Sequence, residues 1–212
     1  YKDMDKFVGE IMKGLGPRDL LIVFSDHGFE SFRRGVNLNR WLVIKGYMKL
    51  KGNKQFSDKE FFEDVDWTQT VAYAAGTAQI YLNLRGRERD GIVDPREASK
   101  LVTKIADELK QLVDPDTGER PVEDVYLGRI IYGDKFYRER PDLVVAFKPG
   151  YRTSWSTPLG GIPKPLVEDN KKEWSGDHAT LAVTRSHGIV LTNLKQLPKN
   201  PKLIGLSLIH IS

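Results

Sequence analysis

Asp26 and His27 stand side by side at the end of an apolar run, in "VFSDHGF", Val23 to Phe29. A second acid–imidazole pair, Asp177-His178, closes the segment "WSGDH". A buried strand gains nothing from ending in a carboxylate and an imidazole, but a metal site does. Divalent zinc and manganese take carboxylate oxygen and imidazole nitrogen readily. Both pairs have Ser and Gly neighbours, "SDHG" and "SGDH", so the backbone can bend and bring ligands close. Two such sets brought together suit a two-ion centre, whose ions, about 3.5–4 Å apart, clamp the attacking and leaving oxygens of a phosphoryl transfer. Taken singly, either dipeptide more often marks a turn with local hydrogen bonds. Of the remaining histidines, His187 precedes an apolar run and reads as packing. His210 lies in a tail with no motif. The chain has no cysteine, so thiolate metal sites and disulfides are excluded.

Bulk composition narrows the setting. The 212 residues suffice for one good core or two small lobes. Lysine and arginine number 33 against 29 acids, a net charge of +4, and the signs are interspersed. A duplex nucleic-acid groove needs basic residues clustered on one face, so no such partner is expected. No apolar run is long enough to span a bilayer.

The elements that must position these residues follow from periodicity. Met4, Phe7, Val8, Ile11, Met12 and Leu15 recur at helical spacing, with Gly14 and Gly16-Pro17 as the stop. "DLLIVF", Asp19 to Phe24, reads as a strand covered on both faces, as in a parallel sheet. Ligands of open α/β sheets sit beyond the carboxyl ends of strands, where Asp26 and His27 lie. A short helix starts near Leu38 with Asn37 as its cap and Gly46 as its end. Gln79 to Leu84 reads as a strand. The helix signal is strongest after Asp94-Pro95, with Glu97 at capping-box spacing and an apolar stripe of Ala98, Leu101, Ile105, Leu109 and Leu112. "EDVYLGRIIY" and "DLVVAF" read as strands. "KPGYRTSWSTPLGGIPKPLVEDN" reads as a long loop, and Gly188 to Leu191 as a last strand. Trp155 and Trp174 read as packing residues under that loop rather than as substrate platforms. Arg33 and Arg34 read as a solvated pair or as a phosphate contact.

Five blocks in order, "LLIVFSDHGF", "RRGVNLNRWL", "IYLNLRGRERDGIV", "PDLVVAFKPGYRTSW" and "WSGDH", resemble the alkaline phosphatase superfamily, in particular its type I phosphodiesterase/nucleotide pyrophosphatase branch. The resemblance runs from about Lys2 to Asn193. It implies an α/β fold with an alkaline-phosphatase-like core sheet flanked by helices. Residues 1–35 and 141–193 would form the C-terminal part of that core, 36–140 an inserted α+β cap, and 194–212 a tail. The end of that tail, "GLSLIHIS", resembles translated adapter DNA. The resemblance further implies two divalent ions, zinc ahead of manganese. Asp26 and His27 would bind the ion that also holds the nucleophile, and His178 the ion facing the attacking water. Arg34, Tyr151 and Trp155 are expected to border a small phosphate-ester substrate. A Thr or Ser nucleophile, a further Asp ligand and an Asp-x-x-x-His pair are implied upstream, and none is found in this sequence. The chain therefore reads as a C-terminal fragment, expected by itself to bind metal weakly and to be inactive or nearly so. A monoesterase, a sulfatase, a phosphomutase or a catalytically inactive metal-binding member are the alternatives. The compartment stays open, with the cytoplasm as the default expectation.

Overall fold

The computed structural model describes residues 1–134, 136–178 and 187–194. In chain order its elements are α1 (Lys2–Lys13), β1 (Ile22–Phe24), β2 (Glu30–Val36), α2 (Leu38–Ile44), β3 (Ala72–Ala75), β4 (Gln79–Leu82), α3 (Ala98–Leu109), β5 (Val122–Leu127), α4 (Gly128–Tyr132), β6 (Leu143–Phe147), β7 (Gly150–Thr153), β8 (Val167–Asp169), β9 (Gly176–Asp177) and β10 (Val190–Thr192). This is the α/β class, with mixed sheets flanked by helices. The chain forms two compact units, residues 1–28 with 187–212, and residues 29–186. His210 and nearly all of the expected 194–212 tail lie outside the described residues.

In the first unit, α1 ends where the Gly14 amide turns back to the Ile11 carbonyl. β1 pairs antiparallel with β10, Val23 opposite Leu191. The apolar run predicts a strand in a parallel sheet covered on both faces, and the structure corrects this. Successive strand side chains point to opposite faces, and one helix can line only one of them. Leu21, Val23 and Leu191 share that face with Met4, Val8 and Met12 around an apolar cavity of 630 Å³. Ile22 and Phe24, on the other face, are 53% and 49% exposed.

The second unit holds two four-stranded sheets. One has the order β7-β2-β8, with β9 also paired to β2; the other is β3-β4-β6-β5. β2 and β7 run parallel, while the pairs of β2 with β8 and β9, and all pairs of the second sheet, are antiparallel. All five residues of β6 are buried, as the unbroken "DLVVAF" predicts. Ile105 and Leu109 of α3, with Leu112 beyond its end, enter the same core as Trp41, Leu42, Ile80, Leu82 and Phe147. The Asp94 carboxylate accepts from the Arg96 amide at 2.9 Å and opens the α3 region as the sequence implies.

Local expectations fail in three places. Asn37 sits at the cap position of α2, but its side chain donates to the Pro165 carbonyl; the Leu38 amide is taken by the Thr157 hydroxyl. The segment "GRIIY" coils into α4 instead of extending β5, and the Gly128 amide, which donates to the Asp142 carbonyl, is the last contact of that edge with the neighbouring chain before the turn. There the chains approach so closely that a Cβ on Gly128 would come within 1.8 Å of the Pro141 carbonyl oxygen. The long Gly/Pro segment is not all loop, since it supplies β7 and β8, both paired to β2.

Candidate metal centre

The loop after β1 is held from both sides of the first unit. The Ser25 amide donates to the Ile189 carbonyl, and the Ile189 amide donates to the Ser25 hydroxyl. Gly188 lies so close to Ser25 that a Cβ there would meet the Ser25 carbonyl oxygen at 2.2 Å. Next in the chain, Asp26 Oδ1 stands 3.5 Å from His27 Nε2. His27 Nδ1 lies 2.9 Å from the Gly28 carbonyl. A proton on Nδ1 then satisfies that carbonyl, and Nε2 is the ring nitrogen that stands beside the Asp26 carboxylate. Both side chains are substantially open to solvent.

His178 follows the last residue of β9 in the second unit. Its ring is 57% exposed and lies 6.1 Å from that of Phe29. The neighbouring Asp177 has Oδ1 3.9 Å from His178 Nδ1 and turns its other oxygen inward. It is buried, pairs in register with Glu30, and meets Arg152 Nη1 at 3.0 Å through Oδ2. Arg152 is only 5% exposed. Its guanidinium carbon stands 4.2 Å from the Phe32 ring centre and 3.8 Å from that of Trp155. Its Nε and Nη2 find no hydrogen-bond partner among the described residues. Burial pulls this guanidinium below its ordinary pKa even against the pull of Asp177. In the second Asp-His pair, then, Asp177 is the anchor and His178 is the projecting group.

The three residues expected at the substrate have distinct settings. Arg34 donates to Asp114 through Nε at 2.5 Å and Nη2 at 2.9 Å, to Asp169 through Nη1 at 2.5 Å, and to Asp116 through Nη2 at 2.5 Å. These carboxylates, Asp114 foremost, raise its pKa. Burial opposes ionisation of Asp114, but hydrogen bonds from Arg34, the Asp116 amide and Tyr151 hold its carboxyl below the usual range. The Tyr151 hydroxyl sits among Asp114, Glu119 and Thr117 at 2.9–3.0 Å. Burial, joined by the hydrogen bonds to those acids, pushes the phenol up to about 12. An anion reaching Arg34 must compete with three carboxylates already in place. Trp155 is partly exposed and carries cations at its ring, Arg152 and also the Lys172 ammonium at 4.2 Å.

As donors, Asp26, His27 and His178 suit a divalent ion, and the first two can face one cation. Closed zinc sites take four ligands, and among the described residues no three His, Cys, Asp or Glu side chains gather as a metal site. Sequence reasoning missed Arg152, whose partners are distant in the chain, and the placement of His187-Gly188 against Ser25. The repeated His-Gly dipeptide, at 27–28 and 187–188, was a usable signal for the latter.

No helix among the described residues is long and apolar enough to cross a membrane. No curated protein and no solved structure matches the chain. The profile of the type I phosphodiesterase / nucleotide pyrophosphatase family matches residues 1–179, a span that holds both Asp-His dipeptides. The chain therefore belongs to the type I phosphodiesterase/nucleotide pyrophosphatase family of the alkaline phosphatase superfamily.

Proposed function

We propose that this chain is the C-terminal part of a two-metal phosphoric-ester hydrolase acting on phosphodiesters or nucleotide pyrophosphates. Asp26, His27 and His178 are its metal donors, zinc is preferred to manganese, and a Thr or Ser nucleophile is supplied from upstream of Tyr1. The observation that carries the reading is the family match, whose limits include all three donors. When bound, such ions stabilise charge on the ester oxygens and lower the pKa of hydroxyl and water.

The chain's own residues orient the donors. Gly28 fixes the His27 ring through Nδ1. Arg152 holds Asp177 inward, so that His178 projects from the end of β9. Tyr151 and Arg34 brace the β2–β7 seam next to it, and Trp155 lines the open cleft beside Lys171 and Lys172. The same lining carries Glu168 and Asp169, so its charge is balanced, and a phosphate ester there would have to be met at Lys171 and Lys172. The second reading is a non-catalytic, metal-binding member of the same family, which a longer polypeptide separates from the first.

The test is zinc competition with a chromogenic chelator, run beside hydrolysis of bis-p-nitrophenyl phosphate. The 212-residue chain is expected to bind zinc weakly, to lose that binding in Asp26→Asn and His27→Ala, and to hydrolyse the diester negligibly. A longer polypeptide carrying the upstream residues is expected to hydrolyse it, and His178→Ala to abolish that turnover. Zinc affinity unchanged in all three variants overturns the donor assignment. A longer polypeptide that binds zinc but turns over no diester favours the non-catalytic reading.

A further inference from the structure

β5 and β6 form an antiparallel hairpin that closes with Leu127 opposite Leu143. Residues 128–142 join them, far more than the roughly two to five usual for a hairpin loop. The base of this connection is fixed. The Gly128 amide donates to the Asp142 carbonyl at 2.8 Å, and the Asp142 carboxylate accepts from the Leu82 amide and from Arg87 Nη2, both at 2.7 Å. Beyond the base the segment folds on itself. The Gly133 amide donates to the Arg129 carbonyl, the Tyr137 amide to that of Asp134, and the Glu139 and Arg140 amides to that of Phe136.

Its composition sets it apart. Turns are ordinarily built from Gly, Pro, Asn, Asp and Ser. Here all ten described residues between 129 and 139 are exposed, and half of them are large and apolar. Ile130 is 73% exposed, and Ile131, Tyr132, Phe136 and Tyr137 are between 40% and 51% exposed. Single exposed apolar residues are ordinary, but a group of them in one ordered loop marks an interaction surface.

Charge is the second, independent feature. The segment and its last neighbour carry Arg129, Lys135, Arg138 and Arg140 against Asp134 and Glu139. Arg129 and Arg138 are exposed and meet no carboxylate among the described residues. The Arg140 guanidinium lies 5.8 Å from the centre of the Tyr137 ring. A protein groove that buried the apolar groups would have to pair or desolvate the arginines among them. The surface of an anionic bilayer meets both needs at once. Acyl chains take the isoleucines, tyrosine rings sit at the level of the headgroups, and long arginine stems carry their charge to the phosphates.

We propose that the 129–139 segment docks the protein peripherally on an anionic lipid surface, with Ile130 and Ile131 at the acyl boundary and Arg129 and Arg138 on lipid phosphates. The surface lies wholly within the second unit. It is independent of the metal donors and of hydrolysis.

The experiment is co-sedimentation of the 212-residue chain with vesicles of equimolar phosphatidylcholine and phosphatidylglycerol, beside vesicles of phosphatidylcholine alone. Binding to the anionic vesicles is expected to be at least about tenfold stronger at low salt, because each basic residue near such a surface adds about fivefold. Raising the salt to about 0.5 M should remove most of that difference. Ile130→Ser combined with Ile131→Ser, at exposed positions and with no change of charge, is expected to weaken binding about tenfold. Arg138→Gln is expected to weaken it about fivefold on the anionic vesicles and not on the neutral ones. Lys100→Gln removes the same charge from an exposed position of α3 and is expected to change binding less than about twofold. Thermal melts of each variant separate lost binding from lost folding. The proposal is overturned by no sedimentation with the anionic vesicles at low salt, by wild-type binding in the folded isoleucine variant, or by equal losses in Arg138→Gln and Lys100→Gln. It is overturned equally if a longer polypeptide carrying the upstream residues does not bind, since the upstream chain would then cover the segment.

Discussion

Replacing Arg152 by Met tests how the Gly176–His178 edge is held. Met keeps much of the apolar stem between Phe32 and Trp155 but removes the charge that faces Asp177. At the observed 3.0 Å, an ion pair gains about 5 kcal/mol at an effective dielectric constant of about 20, before desolvation. Desolvation is large here, since burial outweighs Asp177 in setting the Arg152 pKa and two guanidinium nitrogens lack partners among the described residues. The intact pair is thus worth little net, whereas removing the guanidinium from a buried carboxylate costs up to about 3–5 kcal/mol. Arg152→Met should lose that amount in urea unfolding. Asp177→Asn alone should lose less, about 1–3 kcal/mol. The double variant should recover at least about 2 kcal/mol relative to the sum of the two. Additivity of the two single losses within about 0.5 kcal/mol would refute the reasoning, because the two residues would then act separately. A loss below about 1 kcal/mol in Arg152→Met would refute it equally, since surface substitutions reach no further than that.

Two further expectations follow from the same packing. Asp114 has its pKa lowered in the folded state, so its contribution to stability is present above the ordinary carboxyl value of about 3.9 and is lost as pH falls through the lower folded value; unfolding midpoints measured from pH 5 downward should fall steeply in the parent and less so in Asp114→Asn. Gly128→Ala forces a Cβ to 1.8 Å from the Pro141 carbonyl oxygen, and thermal melts should show a loss of about 2 kcal/mol or more, whereas an unchanged melting curve would mean that the two backbones separate freely.

What could be read from the sequence was what depends on near neighbours. Asp94-Pro95 and the stripe through Ile105 and Leu109 announce α3, and an apolar run with no break announces the buried β6. Asp26 and His27, adjacent in the sequence, do stand together, 3.5 Å apart. The illegible parts rest on distant partners. β7 is only four residues long and is a strand because β2, more than a hundred positions earlier, supplies its hydrogen bonds. Arg34 looks like an anion site in isolation, but its guanidinium is met by carboxylates 80 and 135 positions away. Arg152 carries no local signal at all. Its meaning lies in the rings above and below it and in a carboxylate of another strand.

The two Asp-His pairs hang on supports of unequal firmness. His178 extends from a sheet whose central strand, β2, is paired on both sides. Asp26 and His27 extend from a two-stranded ribbon beside a helix that buries none of its residues. Segments with few buried contacts open at low free energy, independently of the better packed core. Any ligand captured by Asp26 and His27 therefore shifts that local opening equilibrium, by RT ln(1 + [L]/Kd). Its apparent affinity includes the work of keeping the ribbon closed. Amide protection in β1 and β10 is thus a gauge of occupancy, while that of β6 reports only on the core.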